Sequence, residues 1–183
     1  VDIMSTDEDL IMEESANILC QNLGTVLNVG FGLGIIDNYI RQHNPKEHHI
    51  IEIHPEVYNL AIQQGFNKTA KLYLGDWQDI IQEFILKGKK FDAIYFDTYT
   101  FNRNKKQWAM FGKAVNKILK PNGIFSYFNN NASKGEKIED ILKSFKWKKN
   151  KKYIPYSKIL KRIKRKKPMI SKRPYELIWF IKN

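Results

Sequence analysis

The sequence contains very little cysteine and no long hydrophobic run. Its single cysteine, Cys20, cannot form an intramolecular disulfide, which favours a reducing compartment and predicts a cytoplasmic protein. No apolar stretch approaches the roughly 18 residues that a membrane-spanning helix needs. The first residues also lack the basic stretch, apolar run and small-residue cleavage site of a secretory signal. Association with a membrane is therefore not expected.

Acidic residues are scarce relative to basic ones. The chain has 19 Asp and Glu against 31 Lys and Arg, which gives a net charge of +12. The imbalance is concentrated in residues 143–173, which contain no Asp or Glu. Such a segment can contact a nucleic acid or an acidic surface, or it can simply keep a lysine-rich surface solvated. The charge alone does not identify a partner.

Short β-like segments alternate with longer helical ones over the first two thirds of the chain. The β-like segments are rich in Val, Ile, Tyr and Phe and are bounded by Gly, Asn, Asp or Pro. They are residues 25–30, 48–54, 70–75, 91–97 and 123–129. Between them apolar residues recur three and four apart, and a first helix of about residues 8–21 precedes the first strand. This alternation predicts βαβ units around a parallel sheet.

The pattern changes after residue 129. One more helix is predicted over residues 135–145. Residues 151–156 and 175–183 are predicted to form two strands with no helix between them, so that residues 157–173 form the long loop of a terminal hairpin. No internal repeat or linker is visible, and a single domain over residues 1–183 is expected.

Three glycines, Gly30, Gly32 and Gly34, lie between the first strand and the next helix. Glycine is needed where the backbone takes a positive φ or closely approaches a ligand, and the free amides at a helix start face whatever binds there. Their spacing matches the dinucleotide-binding pattern only in part, and the Lys-Ser/Thr pair of a phosphate-binding loop is absent. A purely structural turn is the alternative.

Residues after the next two strands indicate which ligand the turn binds. Glu52 ends the second strand, about 20 residues after the turn, where an acidic residue can bind both hydroxyls of a ribose. Trp77 follows the third strand, where an indole can stack on adenine while neighbouring polar groups contact the edge of the base. The order of these features predicts S-adenosyl-L-methionine as the cofactor rather than a phosphate-linked nucleotide.

Four motifs together resemble the guanidino N-methyltransferases: "LNVGFGLGIID", "HHIIEIHPEV", "GDWQDI" and "FDAIYFDTY". Two branches are similar, guanidinoacetate N-methyltransferase and the fungal-type enzyme that methylates the δ-nitrogen of arginine. "EIHP", "WQDI" and Asn28 look closer to the second branch. The similarity covers about residues 8–131, with a weaker echo in "RPYELIWF".

The resemblance implies a fold and an activity. The fold class would be α/β, a Rossmann-like class I S-adenosylmethionine-dependent methyltransferase with a mostly parallel seven-stranded sheet and a C-terminal antiparallel hairpin. Residues 1–22 would contribute an N-terminal helix to the active site. The activity would be N-methylation of the guanidino group of arginine, either free or in a peptide or protein.

The resemblance also implies the site residues. Its cofactor positions correspond to Met12, Gly30, Phe31, Gly32, Leu33, Gly34, Ile35, Glu52, Ile53, His54, Trp77, Gln78 and Asp97. The catalytic carboxylates correspond to Asp97 and Glu8, and the substrate positions to Glu8, Asp97, Tyr99, Asn130 and Asn131. Glu8 stands in Asp-Glu-Asp, where the family usually has Trp-Glu-Thr. No metal is implied.

Two carboxylates suit the chemistry of a guanidino acceptor. A guanidinium is protonated at pH 7, with a reference pKa above about 12, and its nitrogen lone pairs are delocalised. Bidentate pairing with a carboxylate fixes the plane of the group, and a carboxylate can stabilise its charge and accept the departing proton. Other interpretations are that Asp97 is a strand-end cap and that Glu8 is favoured only by the helix dipole.

Other functions and ligands stay open. A small guanidino acid such as guanidinoacetate is the alternative acceptor within the family. A nucleic-acid methyltransferase or a basic binding module is the alternative of another class, although "FDTY" lacks the Asn/Asp-Pro-Pro-aromatic turn of enzymes that methylate base amines. His48, Glu52 and His54 share one face of a strand, but a metal site would need a further well-spaced ligand.

Overall fold

The computed structural model describes residues 8–98, 105–129, 140, 142, 144–163 and 174–183. The strands in this part are β1 (Thr25–Val29), β2 (Glu47–Glu52), β3 (Lys71–Leu74), β4 (Phe91–Phe96), β5 (Leu119–Tyr127), β6 (Lys148–Ile154) and β7 (Tyr175–Ile181). The α-helices are α1 (Asp9–Leu19), α2 (Ile35–Gln42), α3 (Pro55–Gln63), α4 (Trp77–Leu86), α5 (Lys105–Ile118) and α6 (Tyr156–Leu160). A 3₁₀ turn covers Phe66–Lys68.

The seven strands form one sheet in the order β3-β2-β1-β4-β5-β7-β6. The strands from β1 to β5 pair in parallel, whereas β7 is antiparallel to both β5 and β6. The predicted mostly parallel sheet with an antiparallel C-terminal pair is therefore confirmed. The strand order reverses between β1 and β4, and ligands of open α/β sheets bind at the carboxyl ends of the strands at such a point.

The core lies on both faces of the sheet. Phe111 and Val115 of α5 are fully buried in a cluster that joins α4 and α5 to one face. Met12 and Ala16 of α1 are fully buried in a second cluster, which also contains residues of α2 and α6. All five residues of β1 are buried, as expected of a central parallel strand covered on both faces. Helix α1 is thus an integral layer of the fold.

The expectation of two C-terminal strands with no helix between them is wrong. Helix α6 follows β6 directly, with Pro155 at its start. Ile159 of this helix is buried in the second cluster. This apolar side chain therefore anchors to the core the beginning of the basic segment that was expected to form a loop. Residues 164–173 lie outside the described residues, as does most of the helix expected over 135–145. Among the helices that the structure describes, none is long and apolar enough to cross a membrane.

Candidate active site

The glycine turn connects β1 to α2 at the point where the strand order reverses. Gly30, Gly32 and Gly34 all have left-handed backbone conformations, with φ values of 96°, 58° and 72°. A Cβ atom added to Gly30 would lie 1.9 Å from the carbonyl oxygen of Asp97, and one added to Gly34 would lie 2.4 Å from the Phe31 ring. Glycine is therefore required both by the conformation of the turn and by its close approach to the end of β4.

The carboxylate of Glu52 connects this turn to the end of β2. Its Oε2 accepts a hydrogen bond of 2.9 Å from the backbone N–H of Phe31, and its Oε1 accepts one of 2.9 Å from that of His54. Each carboxylate oxygen has a second lone pair, so further donors can still be accepted. The side chain is buried at the carboxyl edge of the sheet, and its binding of a ribose stays a prediction.

A buried polar network that was not predicted from the sequence lies beneath the turn. The Asn28 side-chain amide donates to the carbonyl oxygen of Gly30 (2.9 Å) and to Asp37 Oδ2 (2.8 Å). Asp37 Oδ1 lies 2.9 Å from His48 Nε2. All three side chains are buried, and burial raises the pKa of Asp37 although the hydrogen bond from His48 opposes this shift. The network holds β1, β2 and the first turn of α2 together.

The pairing with Asp37 gives His48 a buried hydrogen-bond partner within the fold. Within the described ranges, no group of three or more His, Cys, Asp or Glu side chains is arranged to hold a metal ion. The one sequence signal for the network was an acidic residue between Ile36 and Ile40, which are both buried positions of α2.

Asp97 follows β4 and lies beside the glycine turn. Its backbone N–H donates to the carbonyl oxygen of Val29 at 2.9 Å, which fixes it next to β1. The side chain is half-buried, and desolvation raises the pKa of Asp97 to about 7. Among the described residues the neighbouring Thr98 hydroxyl oxygen is buried without a hydrogen-bond partner. The end of β4 thus places a desolvated carboxyl next to a buried hydroxyl.

Glu8 immediately precedes α1, and its side chain makes no capping hydrogen bond to that helix. The negative charges of Glu8 and Asp97 both act on the phenol groups of Tyr95 and Tyr175. Burial chiefly, with smaller contributions from both carboxylates, raises the pKa of Tyr95 and of Tyr175 well above the usual value. The fold therefore brings Glu8 and Asp97, from opposite halves of the sequence, to one pair of neutral tyrosines.

Tyr175, at the start of β7, lies at the same edge of the sheet and was not predicted from the sequence. Its hydroxyl oxygen accepts a 2.7 Å hydrogen bond from the backbone N–H of Asn129, directly after β5. The side-chain amide of Asn129 also donates to the carbonyl oxygen of Glu176 at 3.1 Å. The weak similarity of "RPYELIWF" was the available signal. The predicted substrate residues Tyr99, Asn130 and Asn131 lie outside the described residues.

Two predicted cofactor contacts have buried side chains. Met12 is fully buried, and its sulfur accepts a hydrogen bond of 3.7 Å from the Tyr95 hydroxyl, which fixes α1 to β4. The Phe31 ring is also fully buried and packs edge-to-face on Phe66, with 5.2 Å between ring centroids. Only the backbone of Phe31 lies in the turn, so a cofactor contact of this residue would use backbone atoms. Both cofactor contacts stay predictions.

Several apolar side chains are exposed around the same edge of the sheet. Leu33 in the turn, Ile53 after β2 and Leu74 at the end of β3 are 36%, 46% and 49% exposed. All three follow or end a parallel strand, so they lie on the side where an adenine ring is expected. Ile35 begins α2 and is partly buried against the second cluster.

The remaining predicted cofactor residues lie at helix starts. Trp77 begins α4 and is half-buried, with its indole edge-to-face to Phe96 and Phe111 at centroid distances of 6.0 Å and 5.0 Å. The Asp76 carboxylate caps this helix by accepting the backbone N–H of Gln78 at 2.8 Å. His54 is exposed at the N-cap of α3.

The sheet order, the glycine turn and the acidic end of β2 define a domain of the class I methyltransferase type. The chain is matched over residues 2–165 by the sequence model of the guanidinoacetate N-methyltransferase family. It belongs to that family, and the predicted resemblance is confirmed. The family is named for a methyltransferase, which agrees with the predicted class of enzyme.

Curated relatives are fungal proteins named protein arginine N-methyltransferase 2. The relative from Yarrowia lipolytica is 35% identical over 150 residues, which covers 78% of this chain and 31% of the relative. The relative from Aspergillus oryzae is 38% identical over 130 residues, covering 69% and 31%. The relative from Saccharomyces cerevisiae is 35% identical over 135 residues, covering 69% and 32%. The chain thus spans about a third of the length of these relatives.

Solved structures confirm the fold class. One is SMU.776, a putative methyltransferase complexed with SAH, with a TM-score of 0.68, 18% identity and coverage of 98% of this chain and 50% of that one. Another is an O-methyltransferase from Bacillus cereus in complex with SAH, with a TM-score of 0.65, 12% identity and coverage of 100% and 84%. The cofactor prediction agrees with the ligands in these two structures.

Proposed function

We propose that the protein is an S-adenosyl-L-methionine-dependent N-methyltransferase that acts on the guanidino group of arginine, free or in a peptide or protein. The observation that carries this proposal is Asp97, a half-buried carboxylate beside the glycine turn whose charge acts on the same tyrosines as that of Glu8. The names of the curated fungal relatives support arginine as the acceptor.

The residues at the carboxyl edge of the sheet fit the cofactor. The three glycines of the turn have left-handed backbone conformations, and Glu52 can accept hydrogen bonds from ribose hydroxyls. The exposed side chains of Leu33, Ile53 and Leu74 offer an apolar surface for an adenine ring. When bound, the cofactor supplies an electrophilic methyl group on a sulfonium. The protein supplies orientation, desolvation and charge.

In the proposed mechanism the two carboxylates bind the acceptor. Asp97 and Glu8 pair with guanidinium N–H groups, which fixes the plane of the group and the direction of the attacking nitrogen. Tyr95 and Tyr175 stay neutral and limit access of water. When the nitrogen gains a methyl group it must lose a proton, and a carboxyl with a pKa of about 7, such as Asp97, is suited to accept it at neutral pH.

Guanidinoacetate is the alternative acceptor, favoured by the description of the matching family. The test is a methyl-transfer assay in which purified protein and cofactor are incubated with free arginine, guanidinoacetate and an arginine-containing peptide. Mass spectrometry of the products identifies the acceptor, and fragmentation distinguishes the δ from the ω nitrogen. Methylation of arginine, free or in the peptide, in preference to guanidinoacetate is expected; no transfer to any of the three would contradict the proposal.

We further propose that residues 1–183 form one domain in a cytoplasmic protein. The support is that α1 packs into the same core as α2 and α6, and that the only cysteine is a free thiol. Limited proteolysis that yields two separately stable fragments would contradict the single domain, and imaging of a fluorescent fusion tests the location.

Gly32→Ala is expected to weaken binding of the cofactor product S-adenosylhomocysteine by at least about tenfold. The added methyl group strains a left-handed residue in the turn, which moves the backbone that approaches the ligand. Gly65→Ala is the matched control, because Gly65 is also left-handed, with a φ of 79°, and is followed by the 3₁₀ turn. Calorimetry should show near-normal affinity for the control. Equal affinities for the two variants would place the cofactor elsewhere.

The specificity constant kcat/KM is expected to rise with pH up to about 7 and then to level. The pKa of Asp97 is raised, so its carboxyl is neutral below about 7 and cannot pair with a guanidinium. In that range kcat/KM should change by about tenfold per pH unit, since at saturating cofactor it reports the enzyme before the acceptor binds. Initial rates at subsaturating acceptor and saturating cofactor test this. A flat profile through neutrality would contradict the assigned role of Asp97.

A further inference from the structure

Helix α1 has an acidic outer face that is independent of the two carboxylates described above. Asp9, Glu13 and Glu14 lie on this helix and are partly exposed, with side-chain exposures of 35%, 31% and 26%. The opposite face carries Met12 and other buried residues of the second cluster. Glu8 lies immediately before the first turn. The position of α1 therefore determines the position of Glu8.

Three side chains from the rest of the chain bind this acidic face. Arg162, just after α6, places Nη1 3.1 Å from Asp9 Oδ2 and Nη2 2.7 Å from Glu13 Oε2. Lys152 of β6 places its Nζ 2.6 Å from Glu14 Oε2. The hydroxyl of Tyr39 in α2 donates to Asp9 Oδ1 at 2.8 Å. We call Arg162, Lys152 and Tyr39 the α1 clamp.

The geometry of Arg162 suits a holding function. Asp9 and Glu13 are four residues apart and so lie on adjacent turns of one helix face, where a single guanidinium can reach both. The planar guanidinium has donors on separate nitrogens, which lets it bridge two carboxylates, whereas a lysine acts as a point charge. Asp9 belongs to the first turn, which is the end of a helix that opens most readily. The contact of Arg162 with Asp9 thus secures the helix end that directly follows Glu8.

We propose that Arg162 and Lys152 are positioning residues, which hold α1 against the sheet so that Glu8 faces the acceptor together with Asp97. This inference rests on the proposed function for the role of Glu8. Each ion pair is partly exposed and so is weak and sensitive to salt on its own. Because the acidic partners of these ion pairs all lie on α1, loss of the pairs should loosen that helix and leave the other elements unchanged.

The clamp also explains part of the basic segment. Arg162 and Lys152 belong to residues 143–173, the stretch without acidic residues, and both pair with acids of the same chain. Lys151 similarly lies 3.4 Å from Glu176 of β7. In the described part of the segment, Lys151, Lys152 and Arg162 therefore neutralise acidic residues of the same chain. This role differs from the nucleic-acid contact that the sequence left open for the segment.

The test compares Arg162→Gln with Lys87→Gln, using hydrogen exchange and kinetics. Lys87 forms an exposed ion pair with Glu83 on α4, so its variant loses the same charge at a site remote from α1. Amides of α1 should exchange about three- to tenfold faster in Arg162→Gln, and the acceptor KM should rise by a similar factor. Cofactor affinity should stay within about twofold. Lys87→Gln should change none of these.

Conservative and compensating variants separate positioning from a general loss of stability. Arg162→Lys should restore part of the protection of α1, and the double variant Arg162→Glu with Glu13→Arg should restore more protection than Arg162→Glu alone. Added salt should speed α1 exchange in the unmodified protein and have little effect in Arg162→Gln.

Unchanged α1 exchange in Arg162→Gln would overturn the inference. Faster exchange with an unchanged acceptor KM would show that the clamp does not position Glu8, and would also overturn it. The exchange measurement requires no substrate. Failure of the proposed function is recognised separately, as absence of methyl transfer by the unmodified protein.

Discussion

Asp97→Asn is expected to lower kcat by about a hundred- to a thousandfold, equivalent to about 2.7–4 kcal/mol of lost transition-state stabilisation. The substitution keeps the shape of the side chain but removes the charge that pairs with the guanidinium and the group that accepts its proton. The carboxylate is half-buried beside the turn, so in the variant water compensates poorly for the missing negative charge. Cofactor affinity should fall far less than the rate, because Glu52 and the glycines are unchanged.

Single-turnover kinetics at saturating cofactor measure this effect. Asp92→Asn is the matched control, since Asp92 lies on the same strand but pairs at the opposite edge with Lys120 and the Thr25 amide, at 2.8 Å and 2.7 Å. Glu8→Gln should have an effect similar to that of Asp97→Asn, and the double variant should be non-additive because both carboxylates bind one group. Methylation by Asp97→Asn within a few-fold of normal would show that Asp97 is only a strand-end cap.

Asp37→Ala is expected to lower the free energy of unfolding by about 3–5 kcal/mol. Asp37 is fully buried and is shared by the Asn28 amide and His48. Its removal leaves both partners buried without their acceptor, and it opens a cavity below the glycine turn. Because all three side chains of the network are buried, water cannot readily replace the lost hydrogen bonds.

Urea unfolding measures the change as a lower midpoint at an unchanged m-value. Asp79→Ala is the control, because Asp79 occupies the first turn of α4 as Asp37 occupies that of α2, but is exposed. Loss of its favourable interaction with the helix dipole should be worth only about 0.3–1 kcal/mol. If the two variants unfold at similar midpoints, the buried network does not stabilise the turn.

The parallel half of the sheet, the glycine turn and the position of Glu52 at the end of β2 could be predicted from the sequence because their signals are local. A central parallel strand such as β1 is buried on both faces and is therefore continuously apolar. Gly30 and Gly34 mark positions where a side chain would collide with Asp97 or Phe31. Glu52 is identified by its distance along the chain from the turn, which the βαβ unit fixes.

The residues that the sequence analysis missed depend on contacts between distant segments. Asp37 is meaningful only with Asn28 and His48, which come from two different strands. Tyr175 lies at the carboxyl end of β5 because β7 inserts beside β5 and brings the Tyr175 hydroxyl to Asn129. Helix α6 has only five residues, too few for a periodic apolar pattern, and its formation depends on burial of Ile159 in a core built by α1 and α2. No local pattern reports such pairings.

The insertion of β7 between β5 and β6 has a consequence for the order of events on the ribosome. In the described sheet β6 has β7 as its one neighbour, although β6 is translated first. A nascent β6 therefore has no strand to join until residues 175–181 have emerged, and the native sheet cannot be assembled in the order of synthesis. Lys152 and Arg162 come from β6 and the segment after it, so the earliest described helix to be translated is secured by elements that dock at the end.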